Sequence, residues 1–413
     1  MNASALVASV IGSFGSALVP TAVALGVALL LFVLERRQNP ESASIAPFAV
    51  LPPLAAVVAV PERATFVLVP LVIGLVVAML ARNRRDLLHS ECGLKLLWVL
   101  GPALALSWAG MELLTLATGT SVINEQWAVL QLGLEPRFLW STALPLSLLA
   151  GVVMLGAAPF HFWMADLFHG ARAWLAPLTA AAFQVMGAVW LERRLTGIEA
   201  FPDGASITGP MLAAASVVAF LAGAATLLGQ RRPERRVGTL ASLQGGIMLA
   251  TLAAAHGRED FAEASRAMMG TWGTHLALSY TGASILARFL PVAPGLAAPG
   301  ATLFRRHPLT ALLGALPLLS LAGVPGTPGS LLWLDTARTL AATGHSGVLF
   351  ALAAAWLAAF ALAVQQLREG FGIPAHGQPP ERPTPWAARG ALWIAGLGLI
   401  AMGVAWSGRG GAG

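Results

Sequence analysis

The residues able to do chemistry are few, and most are gathered in one stretch. Between Ala157 and Trp174 the sequence reads AAPFHFWMADLFHGARAW, which sets Pro159, His161, Asp166, His169, Gly170 and Arg172 between two apolar runs. Imidazoles and carboxylates can pass protons when burial and neighbours move their pKa. His161 and Asp166 stand at i and i+5, with His169 three residues further on, so they do not share a clean helical stripe. The same groups would serve as well to tie down irregular backbone. Elsewhere stand Lys95, the only lysine, Glu112 in WAGMELLTLATG, Gln184, His275 in GTWGTHLALSYTG, and Asp335. Glu112 sits about one and a half turns from the end of its apolar run. That suits a snorkelling or interface-paired acid, or a relocated proton carrier. His275 is the one histidine expected at mid-span, placed for packing or for relay. Haem ligation there would need a second buried histidine on a facing helix. Gln184 can pass hydrogen bonds through water but cannot hold a proton as lysine does.

None of these makes a catalytic set. Cys92 is alone, which excludes a disulfide framework, a haem-attachment motif and an iron–sulfur ligand set. No nucleotide-binding loop, metal cluster or nucleophile arrangement is present, so no cofactor is expected in this chain and any redox centre belongs on another protein.

The elements that must position these residues are membrane helices. Hydrophobic residues make up 57% of the 413 and charged ones 11%, with a mean hydropathy of +0.73. Apolar runs near 5–34, 46–60, 64–81, 96–117, 138–158, 173–191, 209–228, 238–255, 268–290, 309–332, 345–365 and 388–406 are long enough to cross hydrocarbon. Without period-two alternation they predict helices, giving an all-α polytopic protein of about twelve spans in the cell inner, or cytoplasmic, membrane. The first run, Ala5 to Leu34, is too long for a signal-peptide core and predicts a retained span or span pair. The formal charge of +6 comes from arginines in small groups between spans, which read as topology signals and not as a nucleic-acid surface. Arg36 and Arg37, then Arg82, Arg84 and Arg85, then Arg231, Arg232, Arg235 and Arg236 should face the cytoplasm. Arg193 and Arg194 fit only as an exception, or if a helix between them and Arg231 is broken. Trp127, Trp140, Trp174 and Trp386 fall near span ends and predict interfacial anchors. Ala180 to Ala182 and Ala353 to Ala355 suit close approach to neighbouring membrane subunits. Pro374 to Pro385, PAHGQPPERPTP, is a polar proline-rich loop, either solvated or a strap for a neighbour.

PFHFWMADLFHGA resembles the signature of the antiporter-like membrane subunits of respiratory complex I, and specifically of subunit N. Ser90 to Thr120, with its acidic residue, small residues and Lys95, is similar to that subunit's preceding helix. SLAGVPGTPG at Ser320 to Gly329 resembles its later Leu-Ala-Gly-x-Pro turn. The resemblance runs from about Thr65 to Gly370. It divides the chain into N-terminal helices at 1–63, an antiporter-like core at 64–370, and a loop with a last helix at 371–413. It implies two inverted repeats, each holding one broken helix, with interruptions expected at Pro159 to Gly170 and at Gly323 to Gly329. It also implies a path of protonatable residues at mid-membrane.

That path is mostly missing. The family's lysine five residues before the motif's proline falls on Met154, the lysine of the next helix on Gln184, and a third on Trp333. The glutamate of the earlier helix falls near Val69 or Pro70. Lys95 matches a lysine at the entrance of its helix instead of a central carrier, and Asp335 is the one charged residue close to a missing position. His275 resembles a histidine of sister subunits. The expectation is a membrane subunit of a complex-I-like assembly, partnered by other membrane subunits and lipid, with a largely degenerate proton pathway and a structural role. Two alternatives stand beside it: an active translocator using Glu112, His275 and Asp335, and a stand-alone secondary transporter.

Overall fold

The computed structural model describes residues 62–81, 87–171, 175–290, 303, 307–371 and 386–407. The expected spans near 5–34 and 46–60, the proline-rich loop and Trp174 lie outside them. Among the described residues the structure is helical: α1 (Glu62–Ala81), α2 (Leu87–Thr118), α3 (Ile123–Gln131), α4 (Arg137–Met154), α5 (Phe162–Gly170), α6 (Leu175–Leu195), α7 (Pro202–Gly229), α8 (Pro233–Ala255), α9 (Phe261–Ala287), α10 (Pro308–Leu321), α11 (Pro328–Ala342), α12 (Ser346–Phe371) and α13 (Trp386–Ser407). Seven helices among the described residues are long and apolar enough to cross a membrane. The shorter α10 and α11 divide one path across it.

One order of elements occurs twice: α1, α2, the pair α4 and α5, then α6; and α8, α9, the pair α10 and α11, then α12. Each pair is a broken helix; the second break falls where expected, whereas the first runs from Leu155 to His161 and most of the expected Pro159 to Gly170 segment is helical as α5. Backbone donors and acceptors freed at such a break must be met by protein or water. The helices beside the breaks do this. α6 and α8 are central, with 94% of the apolar window of each buried, which is why neither shows an amphipathic stripe in sequence.

Small residues let the core close. Gly151 on α4 and Gly187 on α6 lie against each other's backbone, and Gly238 on α8 sits over the backbone of Met164 and Ala165 on α5. Ala180, Ala181 and Ala182 are buried inside the bundle, so they serve internal packing and not a neighbour; Ala353 and Ala354 are exposed. Trp127 and Trp140 are also buried, against Phe201, instead of lying at a lipid interface. Trp386 is exposed, as an anchor should be.

Chain direction puts the start of α8, the start of α2 and the end of α5 at one end of the bundle, here the Arg235 end. The end of α6 and the start of α9 lie at the other. Because α7 is continuous from Pro202 to Gly229, Arg193 and Arg194 fall at the far end from Arg231. They are the exception and no broken helix accounts for them. Their neighbourhood is neutralised locally: Glu192 is buried and pairs with Arg266 at 3.0 Å, and the Arg194 guanidinium lies over the Trp127 ring.

Candidate functional site

The first break begins where α4 runs out at Met154. The amides of Leu155 and Gly156 turn back to Gly151 and Val153, each at 3.0 Å. Gly156 has φ +64°, and a Cβ there would strike the Met164 and Trp163 side chains. Ala157 and Ala158 are fully buried, and α5 restarts at Phe162. The freed Leu155 carbonyl accepts a hydrogen bond from Gln184 Nε2 at 2.8 Å, and the Ala241 carbonyl of α8 takes the other Nε2 hydrogen at 2.7 Å. Tyr280 of α9 donates its hydroxyl to Gln184 Oε1. Gln184 therefore joins the break to α8 and α9 with both amide hydrogens committed. Gly245 makes room, since a Cβ there would lie 2.2 Å from the Leu155 oxygen.

At the Arg235 end of α5, Asp166 accepts from Lys95 Nζ at 2.9 Å and from the Arg235 guanidinium. Lys95 also pairs with Glu91 at 2.6 Å, and His169 Nε2 lies 2.8 Å from Arg232. One carboxylate thus ties α2, α5 and α8 together. His161 Nε2 is 3.0 Å from Thr226 Oγ1 on α7. Asp166 and His169 both meet the start of α8, through Arg235 and Arg232, whereas His161 turns to α7, so the three form no single site.

The second break follows α10. Gly323 and Val324 turn back to Ser320 and Leu319, both at 3.0 Å, with φ +66° at Gly323 and +87° at Gly326. Gln244 of α8 donates to the Leu321 carbonyl at 2.9 Å, the counterpart of what Gln184 does at the first break. Ser320 Oγ accepts the Gly329 amide at 2.9 Å and lies 2.9 Å from His275 Nε2. Trp356 of α12 donates its indole N–H to the Gly323 carbonyl at 2.8 Å. Beneath the turn, Trp333 stacks on Trp356 with ring centroids 5.7 Å apart. Gln244 Oε1 and His275 Nδ1 are buried without a hydrogen-bond partner among the described residues.

The remaining sequence candidates are scattered. Glu112 is exposed on the outer side of α2, and Asp335 is exposed and pairs with Arg338 at 3.3 Å. Neither meets His275. Met154, Gln184, Trp333 and Val69 are all fully buried, and among the described residues no charged side chain takes the place of any of them. Tyr280, Gln244 and Ser320 escaped sequence reasoning; the one signal was that Tyr280 is the chain's single tyrosine. Outside the spans, burial pushes the His256 imidazole down to about 4, with His345 adding to the shift; its Nε2 lies 2.7 Å from Thr208 Oγ1.

No protein-family model matches the chain. Curated relatives do. NADH-quinone oxidoreductase subunit N of Anoxybacillus flavithermus is 28% identical over 264 residues, covering 61% of this chain and 51% of that one. A second relative, NADH-quinone oxidoreductase subunit N 2 of Roseiflexus castenholzii, is 28% identical over 323 residues, 76% of this chain and 64% of its own. The match thus spans about half to two-thirds of these relatives. Among solved structures, a chain of respiratory complex I from Thermus thermophilus superposes with a TM-score of 0.71 at 22% identity, covering 94% of this chain and 84% of that one. A chain of the Mrp complex from a Dietzia species gives 0.72 at 15% identity, covering 94% and 81%. These findings bear out the resemblance to subunit N and the antiporter-like membrane fold.

Proposed function

We propose that this chain is a membrane subunit of a complex-I-like assembly whose antiporter-type proton path is largely dismantled and whose role is structural. It is not catalytic alone; electrons and any redox cofactor belong to partner chains of an oxidoreductase-type complex. It lies in the inner membrane, with the Arg235 end toward the cytoplasm.

One observation carries the reading. The three positions where the resemblance puts lysines hold Met154, Gln184 and Trp333, all fully buried, and Gln184 is locked into a neutral network by two carbonyls and Tyr280. A proton crossing about 30 Å of hydrocarbon needs several exchangeable groups or a continuous water chain. A side chain whose hydrogens are already committed offers neither. Lys95, the remaining lysine, is held between Glu91 and Asp166.

The test is the ion-to-electron ratio of the reconstituted complex, with assembly checked in the same vesicles. Glu112→Gln and His275→Ala should leave the ratio unchanged, affecting stability or assembly at most. A clear fall in ratio with assembly intact would establish the translocator reading instead. Transport by the purified chain alone would favour the stand-alone transporter.

A further inference from the structure

We infer that the last turn of α5 is held at the Arg235 end by a proton-labile clasp, the hydrogen bond between His169 and Arg232, which opens when the imidazole takes up a second proton and uncovers Cys92. Its working does not depend on the subunit reading above.

Donor chemistry fixes the state of the ring. A guanidinium has N–H donors and no acceptor, so the His169 Nε2, 2.8 Å from Arg232 Nη1, must offer its lone pair. His169 is therefore neutral here, with its hydrogen on Nδ1. An imidazolium has no lone pair to offer, and proton uptake turns the bond into a contact of like charges. The surroundings do not favour the charged form. Facing His169 are Asp166 on its own helix and Arg232, Glu234 and Arg235 at the start of α8, while α2, packed on α5, contributes His89, Glu91, Cys92 and Lys95 at this end. The near end of α6 carries no charge. Asp166 already accepts from both Lys95 and Arg235, Lys95 also holds Glu91, and Arg288 of α9 brings a further cation to the Ala171 carbonyl at 3.2 Å. Among the described residues, then, Glu91, Asp166 and Glu234 stand against Lys95, Arg232, Arg235 and Arg288, and an imidazolium adds to the excess.

Asp166 fixes the middle of α5, and beyond it His169 is the one α5 side chain hydrogen-bonded to another helix among the described residues. Beneath that last turn lies Cys92, the chain's single cysteine. It is buried, its Sγ donates to the Asp166 carbonyl at 3.1 Å, and a Cβ on Gly170 would collide with it. Loosening the turn therefore exposes the thiol. The closed form takes no second proton at His169, whereas the open form takes one at the ordinary imidazole value of about 6.5. Closure is fully present above that value and is lost as pH falls below it. Between about pH 7.5 and about pH 5.5 the open fraction should rise about tenfold.

Thiol labelling of the full chain in native membranes tests this, with a dipyridyl disulfide, a reagent that stays reactive in acid, and the Cys92 peptide read by mass. His169→Gln is the reference. Its amide oxygen accepts from Arg232 at any pH, so the clasp stays shut, and division by its labelling rate removes the pH dependence of the thiol itself. The ratio of parent to variant should rise about tenfold between about pH 7.5 and about pH 5.5; a flat ratio would overturn the clasp. Arg232 is exposed, so Arg232→Met removes the donor and spares the core. That variant should label fast at both pH values, and slow labelling at neutral pH would also overturn the clasp. His307→Gln alters the similar contact with Arg389 on α10, at 3.1 Å, and should leave the acid response in place. Loss of the response there would mean a general loosening in acid and would count equally against His169.

Discussion

The two broken helices stand at corresponding places in the two repeats, yet they are held differently. At the first, Gln184 spends both amide hydrogens on carbonyls and accepts from Tyr280, and the following half-helix is anchored by Asp166 between Lys95 and Arg235. At the second, Gln244 makes the matching bond to Leu321, but its Oε1 and His275 Nδ1 meet no partner among the described residues. Among the described residues no ion pair ties its outer turn, where Pro325 and Gly326 are exposed as Pro159 is at the first break. Placing a carboxylate near a helix end, where solvent reaches Lys95, keeps desolvation small. The difference teaches that the two breaks share one device, a glutamine from a neighbouring helix meeting the freed carbonyl, and differ in how the half-helix that follows is anchored.

The largest effects should come from the glycines that let the breaks pack. A Cβ at Gly329 would lie 1.7 Å from the Ser320 carbonyl oxygen, and one at Gly245 would lie 2.2 Å from that of Leu155. Backbone cannot retreat as a side chain can. Gly329→Ala and Gly245→Ala should each cost more than about 4 kcal/mol or prevent folding, read as loss of the thermal transition in detergent. Tolerance of one and not the other would show that the two breaks differ in rigidity as well as in bonding.

Asp166→Asn should cost less, about 1–2 kcal/mol, because Lys95 is 40% exposed and the pair is screened. Only the first break is affected, and the gap between variant and parent should narrow as salt rises. A gap insensitive to salt would mean that Asp166 acts through shape alone.

Gln184→Leu and Gln244→Leu compare the breaks most directly. The first strands the Leu155 carbonyl, while the Tyr280 hydroxyl keeps the Ala241 carbonyl as an acceptor at 3.2 Å, for a cost of about 1–3 kcal/mol. The second strands one carbonyl and also removes an unmet oxygen, so its loss should be distinctly smaller. Equal losses would abolish the distinction drawn here.

The smallest effect lies away from both breaks. Because burial holds His256 near 4 when its ordinary value is 6.5, the fold favours its neutral form. The stability this group allows is fully present above pH 6.5 and is lost as pH falls from 6.5 toward 4. His256→Gln should flatten that part of the profile; an unchanged acid limb would assign it to other groups.

Much of this was legible in the residues. Run length and composition reveal the spans because hydrocarbon admits only helices of that size, and Pro159 and the Gly–Pro run at Gly323 to Gly329 locate both breaks because such residues disrupt the ladder. Asp166 was found, and its partners were not, since Lys95 and Arg235 are 71 and 69 residues away. Tyr280 and Gln244 were missed for a related reason: a neutral polar residue inside an apolar span has no pattern until the carbonyl it serves is placed beside it. Trp127 and Ala180 to Ala182 were misplaced because an internal helix and a lipid-facing one carry the same composition.

The pairing of Glu192 with Arg266 also bears on how the protein is made. The two are 74 residues apart, roughly 4–15 s of synthesis at ~5–20 residues per second. For that interval α6 ends in a carboxylate and two arginines on the side that charge bias disfavours, without the helix that later shields them. Chains stopped after α8 should therefore show both orientations of the α6–α7 hairpin, whereas chains reaching past α9 should show one.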